Sequence, residues 1–176
     1  EHGGYVYFTP ARTRHYRNYS APHEAMWCCV GTGMENHGKY GQFIYTHKGN
    51  ALFVNLYAAS QLDWKERGIV LRQETGFPYA ESSKIKIEKG KGEFSLMVRY
   101  PGWVRPGEFK VSVNGQPVEV ITGPSSYVSI SRKWKKGDEV SIDFPMHSEL
   151  KYLPNEPQYI AIMHGPILLG MKTGTE

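Results

Sequence analysis

Cysteine is scarce: the 176 residues hold two, Cys28 and Cys29, side by side. Adjacent Cα atoms lie about 3.8 Å apart across a trans peptide, whereas an ordinary disulfide spans about 4.4–6.8 Å. A structural disulfide framework is excluded, and a vicinal bridge would be strained. No apolar run approaches the ~18 residues of a membrane span. Charge of one sign is scarce too. The net charge is +4, and basic residues alternate with acidic ones along most of the chain. No footprint for nucleic acid stands out. The glycines lack the spacing of a phosphate-binding loop, which excludes a nucleotide site. No fixed-period repeat or low-complexity tract is present. The chain opens at Glu1 with neither an initiator Met nor a signal peptide, and reads as a mature form or an excised piece.

What is there predicts a packed, mainly β chain. Hydrophobic residues make up 40% and charged residues 22%, enough for a core and too apolar for wholesale disorder. The 19 glycines and 11 prolines imply many turns and argue against a helical bundle. From residue 42 onward short β segments follow one another. Phe43-Ile44-Tyr45 and Leu52–Tyr57 flank Lys48-Gly49-Asn50, a hairpin signal. Ile69–Leu71, Lys84–Glu88 and Phe94–Tyr100 come next, the second in strict alternation. Phe109–Val113 leads to Asn114-Gly115, a strong hairpin turn, and Val118–Ile121 answers it. Tyr127–Ile130, Val140–Phe144 and Tyr159–Ile162 complete the series. Strands at this spacing predict an antiparallel β-sandwich or jelly roll. A boundary is expected near residue 41, dividing 1–41 from 42–176.

Residues 1–41 differ in character. They hold both cysteines and four of the seven histidines, His2, His15, His23 and His37. Arg12, Arg14 and Arg17 interleave with His15, Tyr16 and Tyr19. Without a wider basic patch, this reads as a solvated or substrate-facing loop. After the cysteines, Thr32 is placed to cap a short helix with Glu35 as its capping-box partner. Gly38 or Gly41 would end that helix. The cysteines themselves have three readings: inert buried thiols, soft metal ligands, or an activated nucleophile. Two thiolates do not complete a tetrahedral zinc site, so further ligands would be required.

The run Met26-Trp27-Cys28-Cys29-Val30-Gly31-Thr32-Gly33-Met34-Glu35-Asn36-His37-Gly38-Lys39-Tyr40-Gly41 resembles a segment of the cysteine-dependent β-L-arabinofuranosidases, glycoside hydrolase families 127 and 146. Tyr7-Phe8-Thr9-Pro10, His15–Ser20, Tyr100-Pro101-Gly102-Trp103 and His164-Gly165-Pro166 fit the same pattern. The resemblance implies an (α/α)6 barrel followed by β-sandwich domains, with the double cysteine near the end of the barrel. Residues 1–41 would then be the last barrel segment and 42–176 a sandwich. It implies that Cys28 is the nucleophile and a zinc ligand, and that Cys29 is a second zinc ligand. The remaining ligands, a Glu and a third Cys, and the acid/base Glu would lie upstream of this chain. The implied activity is a retaining exo-glycosidase releasing β-linked L-arabinofuranose, with an arabinose-containing oligosaccharide or polysaccharide as partner. A glycan-degrading parent would normally be exported, to the periplasm or out of the cell, whereas one acting on imported oligosaccharides would stay inside, so the compartment is left open. The chain alone is expected to be catalytically incomplete.

Other residues carry quieter readings. His15, His23 and His37 are expected to be hydrogen-bonded structural histidines, and Trp27 a packing residue. Glu35 and Asn36 are assigned to the turn after the cysteines, and Glu24 is given no catalytic role. Trp64, Trp103 and Trp134 are expected between the sheets, although exposed together they would form a sugar platform. Lys133, Lys135, Lys136, Gly137 and Asp138 read as a charged turn. The rival to the enzyme is a non-catalytic β-sandwich accessory or carbohydrate-binding module whose cysteines are vestigial. A weaker third reading is a vicinal-dithiol redox site.

Overall fold

The computed structural model describes residues 6–8, 18–21, 24 and 28–171. Two compact units make up the chain, Glu1–Phe43 and Ile44–Glu176. In the first, β1 (Val6–Phe8) pairs antiparallel with β2 (Asn18–Tyr19), and α1 runs from Cys28 to Phe43. The helix starts four residues before the expected cap. Thr32 lies inside it, and its hydroxyl donates to the Cys28 carbonyl at 3.1 Å. The capping box assigned to Thr32 and Glu35 is therefore corrected. Gly38 and Gly41 do not end the helix, and Phe43 is its last residue rather than the start of a strand. Gly31, Gly33, Gly38 and Gly41 each weaken a helix by about 1 kcal/mol relative to Ala, which is why the sequence reads as a shorter element.

The second unit begins with β3 (Tyr45–Lys48) and β4 (Ala51–Val54). It continues through β5 (Ser60–Trp64), β6 (Ile69–Thr75), β7 (Ser82–Lys89) and β8 (Lys91–Tyr100). Then come β9 (Lys110–Val113), β10 (Gln116–Val118), β11 (Ser126–Lys135) and β12 (Glu139–Asp143). β13 (Ser148–Leu153), β14 (Glu156–His164) and β15 (Ile167–Leu169) follow. A six-stranded sheet has the order β10-β9-β12-β7-β6-β5, and a four-stranded sheet the order β11-β8-β4-β3. The pairing is antiparallel except between β4 and β8, which run parallel. β13, β14 and β15 form a separate three-stranded sheet.

The alternation of apolar residues explains the sandwich. Along β7, Ile85 and Ile87 point inward while Lys84 and Lys86 point outward. Along β8, Phe94, Leu96, Val98 and Tyr100 line the same core. Trp64 of one sheet meets Phe94 of the other edge to face, with centroids 5.6 Å apart. Apolar area removed from water in this way is worth about 25 cal/mol per Å². The chain changes sheets after β4, where the buried Gln73 amide donates to the carbonyls of Leu56 at 3.0 Å and Ala58 at 2.7 Å. Those bonds replace a sheet ladder for this segment. The expected strand through Tyr57 accordingly stops at Val54.

The tryptophans fall where the packing reading puts them. Trp134 is fully buried and Trp64 is buried. Trp103 is half-buried and stacks on Phe77 with an interplanar angle of 12°. The stretch around Trp134 needs correction: Lys133 and Lys135 are outward residues of β11, and the turn is confined to Lys136 and Gly137. Asp138 is buried at 1% exposure.

Candidate active site

The first turn of α1 carries both thiols. Cys28 and Cys29 are free and exposed, with their Sγ atoms 3.7 Å apart. That is well beyond an S–S bond of about 2.05 Å. Two thiolates on one tetrahedral zinc, each at about 2.3 Å, would sit roughly 3.8 Å apart, so the pair fits two corners of such a site. Among the described residues no cluster of three or more His, Cys, Asp or Glu side chains is arranged to hold a metal. A tetrahedral site built on this pair would take its other two ligands from outside the described residues.

Three further polar side chains of α1 bond within the helix itself. Thr32 is bonded to the Cys28 carbonyl. His37 Nδ1 lies 2.9 Å from the Gly33 carbonyl, and Asn36 donates to Tyr40 Oη at 2.6 Å. His37 also meets the Tyr40 ring edge to face. Nine residues past Cys28, His37 is displaced by about 13 Å along the axis, too far to share an ion with the thiols. Its structural reading holds. Glu35 and Asn36 are helical residues, not part of a turn. His2, His15, His23 and Trp27 lie outside the described residues. Sequence reasoning missed Thr32 as the hydroxyl bound beside the thiols, although its position four residues after Cys28 was a visible signal.

Residues 1–42 match the profile of the GH127 β-L-arabinofuranosidase catalytic domain. Residues 51–146, more than half of the chain, match that of the GH127 β-L-arabinofuranosidase middle domain. The chain belongs to the GH127 β-L-arabinofuranosidase family. Solved structures agree with this membership. A GH127 β-L-arabinofuranosidase from Geobacillus stearothermophilus T6 is 31% identical over 80% of this chain and 23% of its own, with a TM-score of 0.68. A GH127 β-arabinofuranosidase is 31% identical over 88% of this chain and 27% of its own, with a TM-score of 0.74. A glycoside hydrolase at 26% identity covers 94% of this chain and 30% of its own, with a TM-score of 0.77. The chain therefore spans about a quarter of the length of these GH127 relatives. No curated protein sequence matches it. Within the family framework, both cysteines fall in the segment matched by the catalytic-domain profile, and β4 to β12 of the sandwich fall in the middle-domain match.

Proposed function

We propose that the full-length protein is a retaining glycosidase that releases β-linked L-arabinofuranose, with Cys28 as its nucleophile. The single observation that carries this reading is the pair of exposed thiols 3.7 Å apart within the catalytic-domain segment. Cys28 and Cys29 would hold a zinc ion together with ligands from elsewhere in the full-length protein. Bound zinc would keep both sulfurs as thiolates at neutral pH, where a free thiol with its pKa near 8.5 is mostly protonated.

The chain's own part is then nucleophilic. The Cys28 thiolate attacks the anomeric carbon, forming a C–S bond as the C–O bond to the leaving group breaks. The departing oxygen takes the electron pair and a proton from a carboxylic acid. In the second half, water gives a proton to the same carboxylate and attacks the anomeric carbon. The C–S bond breaks and the thiolate returns. Two inversions leave the configuration retained. The acid/base role is assigned to neither Glu24 nor Glu35.

The binding-module reading loses two of the three tryptophans it would use, because Trp64 and Trp134 are buried and only Trp103 is half-exposed. The test is hydrolysis of a chromogenic β-L-arabinofuranoside by the full-length protein, wild type beside Cys28→Ala. The expected loss is at least about a thousandfold in kcat. Equal activity in both would overturn the nucleophile. Zinc retained in full by Cys29→Ser would overturn the ligand role of Cys29.

A further inference from the structure

The carbonyl that accepts the Thr32 hydroxyl, at 3.1 Å, is that of Cys28. It belongs to the peptide bond joining Cys28 to Cys29, so its plane sets how the two Cβ vectors diverge. Side chains of a helix lean toward its N-terminus, which brings Thr32 back over the turn that holds the thiols. That turn is weakly held by its own backbone. Gly31 and Gly33 flank Thr32, glycine is a poor helix former, and no acidic residue stands in the first turn to favour it.

We infer that Thr32 is a positioning residue for the thiol pair: its hydroxyl clamps the Cys28–Cys29 peptide plane and so maintains the 3.7 Å separation of the sulfurs. The kinetic consequence rests on the proposed function, while the geometric claim concerns the two thiols alone. A hydroxyl-free side chain of the same shape should let the plane rock, and any partner that must bond both sulfurs at once should be captured more slowly.

The experiment uses the full-length protein, stripped of metal and reduced, with phenylarsine oxide as the probe. The trivalent arsenic bonds both sulfurs and releases one water. Capture rates are compared for wild type, Thr32→Val and Thr32→Ser, with Thr32→Ala as a second hydroxyl-free variant should Val fail to fold. Thr32→Val is expected to react about fivefold more slowly, the effect of one neutral hydrogen bond, and Thr32→Ser to stay within about twofold of wild type. A wild-type rate in the hydroxyl-free variant would overturn the clamp. So would a serine variant as slow as valine, since the γ-methyl would then be the group that matters. With a β-L-arabinofuranoside, the same ranking should appear in kcat while KM stays within about twofold. If the wild type hydrolyses none, the proposed function has failed, and the arsenical ranking still decides the role of Thr32.

Discussion

The amide of Asn114 donates to Asp138 Oδ1 at 2.9 Å and joins two turns that lie 24 residues apart. The Asn114 side-chain oxygen accepts from the Glu139 amide at 2.8 Å, and Asp138 Oδ2 accepts from the Lys135 amide at 2.9 Å. The β9–β10 turn is thereby stapled to the β11–β12 turn. Arg132 lies 3.8 Å from Asp138 Oδ1 and over the ring of Trp134. Burial alone would push the Asp138 carboxyl upward. The hydrogen bonds from Asn114 and Lys135, with the charges of Arg132 and Lys135, hold it below the usual carboxylate range.

The sign of the pH effect follows. A carboxyl depressed in the folded state contributes stability above its unfolded pKa, about 3.9, and loses it as pH falls through the lower folded value. Asp138→Asn should destabilise the chain by about 1–3 kcal/mol at pH 7. It should also flatten the decline below pH 4. Denaturant unfolding across that range checks this, and parallel acid limbs for the two proteins would refute it.

Gly90 links β7 to β8 at φ 88°, and a Cβ there would stand 2.3 Å from the Gly68 carbonyl oxygen. Backbone on both sides leaves nothing to swing away. Gly107 has a similar φ, 82°, with open space around it. Gly107→Ala should therefore cost only the backbone strain, about 1 kcal/mol, and Gly90→Ala roughly 2–4 kcal/mol. Chemical denaturation of the two variants separates strain from clash, and equal losses would remove the close approach as the reason for Gly90.

Much of the sandwich was legible because local chemistry and tertiary packing agree there. Asn114 and Gly115 both adopt positive φ, 51° and 78°, as the turn signal required. Lys84–Glu88 alternates in the sequence and in burial alike. Elsewhere the two conflict. The parallel pairing of β4 with β8 leaves no trace in alternation, because period-2 patterning sets the face and not the direction. β13 mixes Ser148, Glu149 and Lys151 with its apolar residues, whereas β14 carries the uninterrupted apolar run Tyr159–Ile162, so only β14 stood out. The helical glycines concealed the length of α1. At the candidate site Cys28 and Cys29 were legible as a pair, whereas the Thr32 bond needed the helix to be in place first.

Trp134 shows how surface charge hides a core residue. Lysines flank it, yet it is fully buried, and its indole N–H donates to the Phe94 carbonyl at 3.0 Å. Trp134→Ala should cost about 3–5 kcal/mol. Trp134→Phe should recover part of that loss, since a ring still meets Phe94 but the carbonyl loses its donor. Thermal unfolding ranks the three proteins. A phenylalanine variant as unstable as the alanine one would show that the hydrogen bond, rather than the filled volume, dominates.

Tyr57 contributes a share of the chain's alkaline destabilisation that one substitution can remove. Its ring is buried and stacks on Phe144 with centroids 4.6 Å apart, and its hydroxyl donates to the Arg99 carbonyl. Burial raises the phenol pKa far above its ordinary value, and the nearby Arg99 charge offsets only part of this. The folded state therefore keeps the proton where the unfolded chain releases it. Stability from this group is complete below about pH 10 and declines as pH rises beyond it. Tyr57→Phe loses the hydrogen bond, worth about 1 kcal/mol at pH 7, but has no phenol to ionise. The two unfolding free energies should converge between about pH 10 and pH 11.5. The remaining tyrosines are common to both proteins, so the difference between the curves isolates Tyr57. A gap that stays constant across that range would mean the buried hydroxyl contributes no such share.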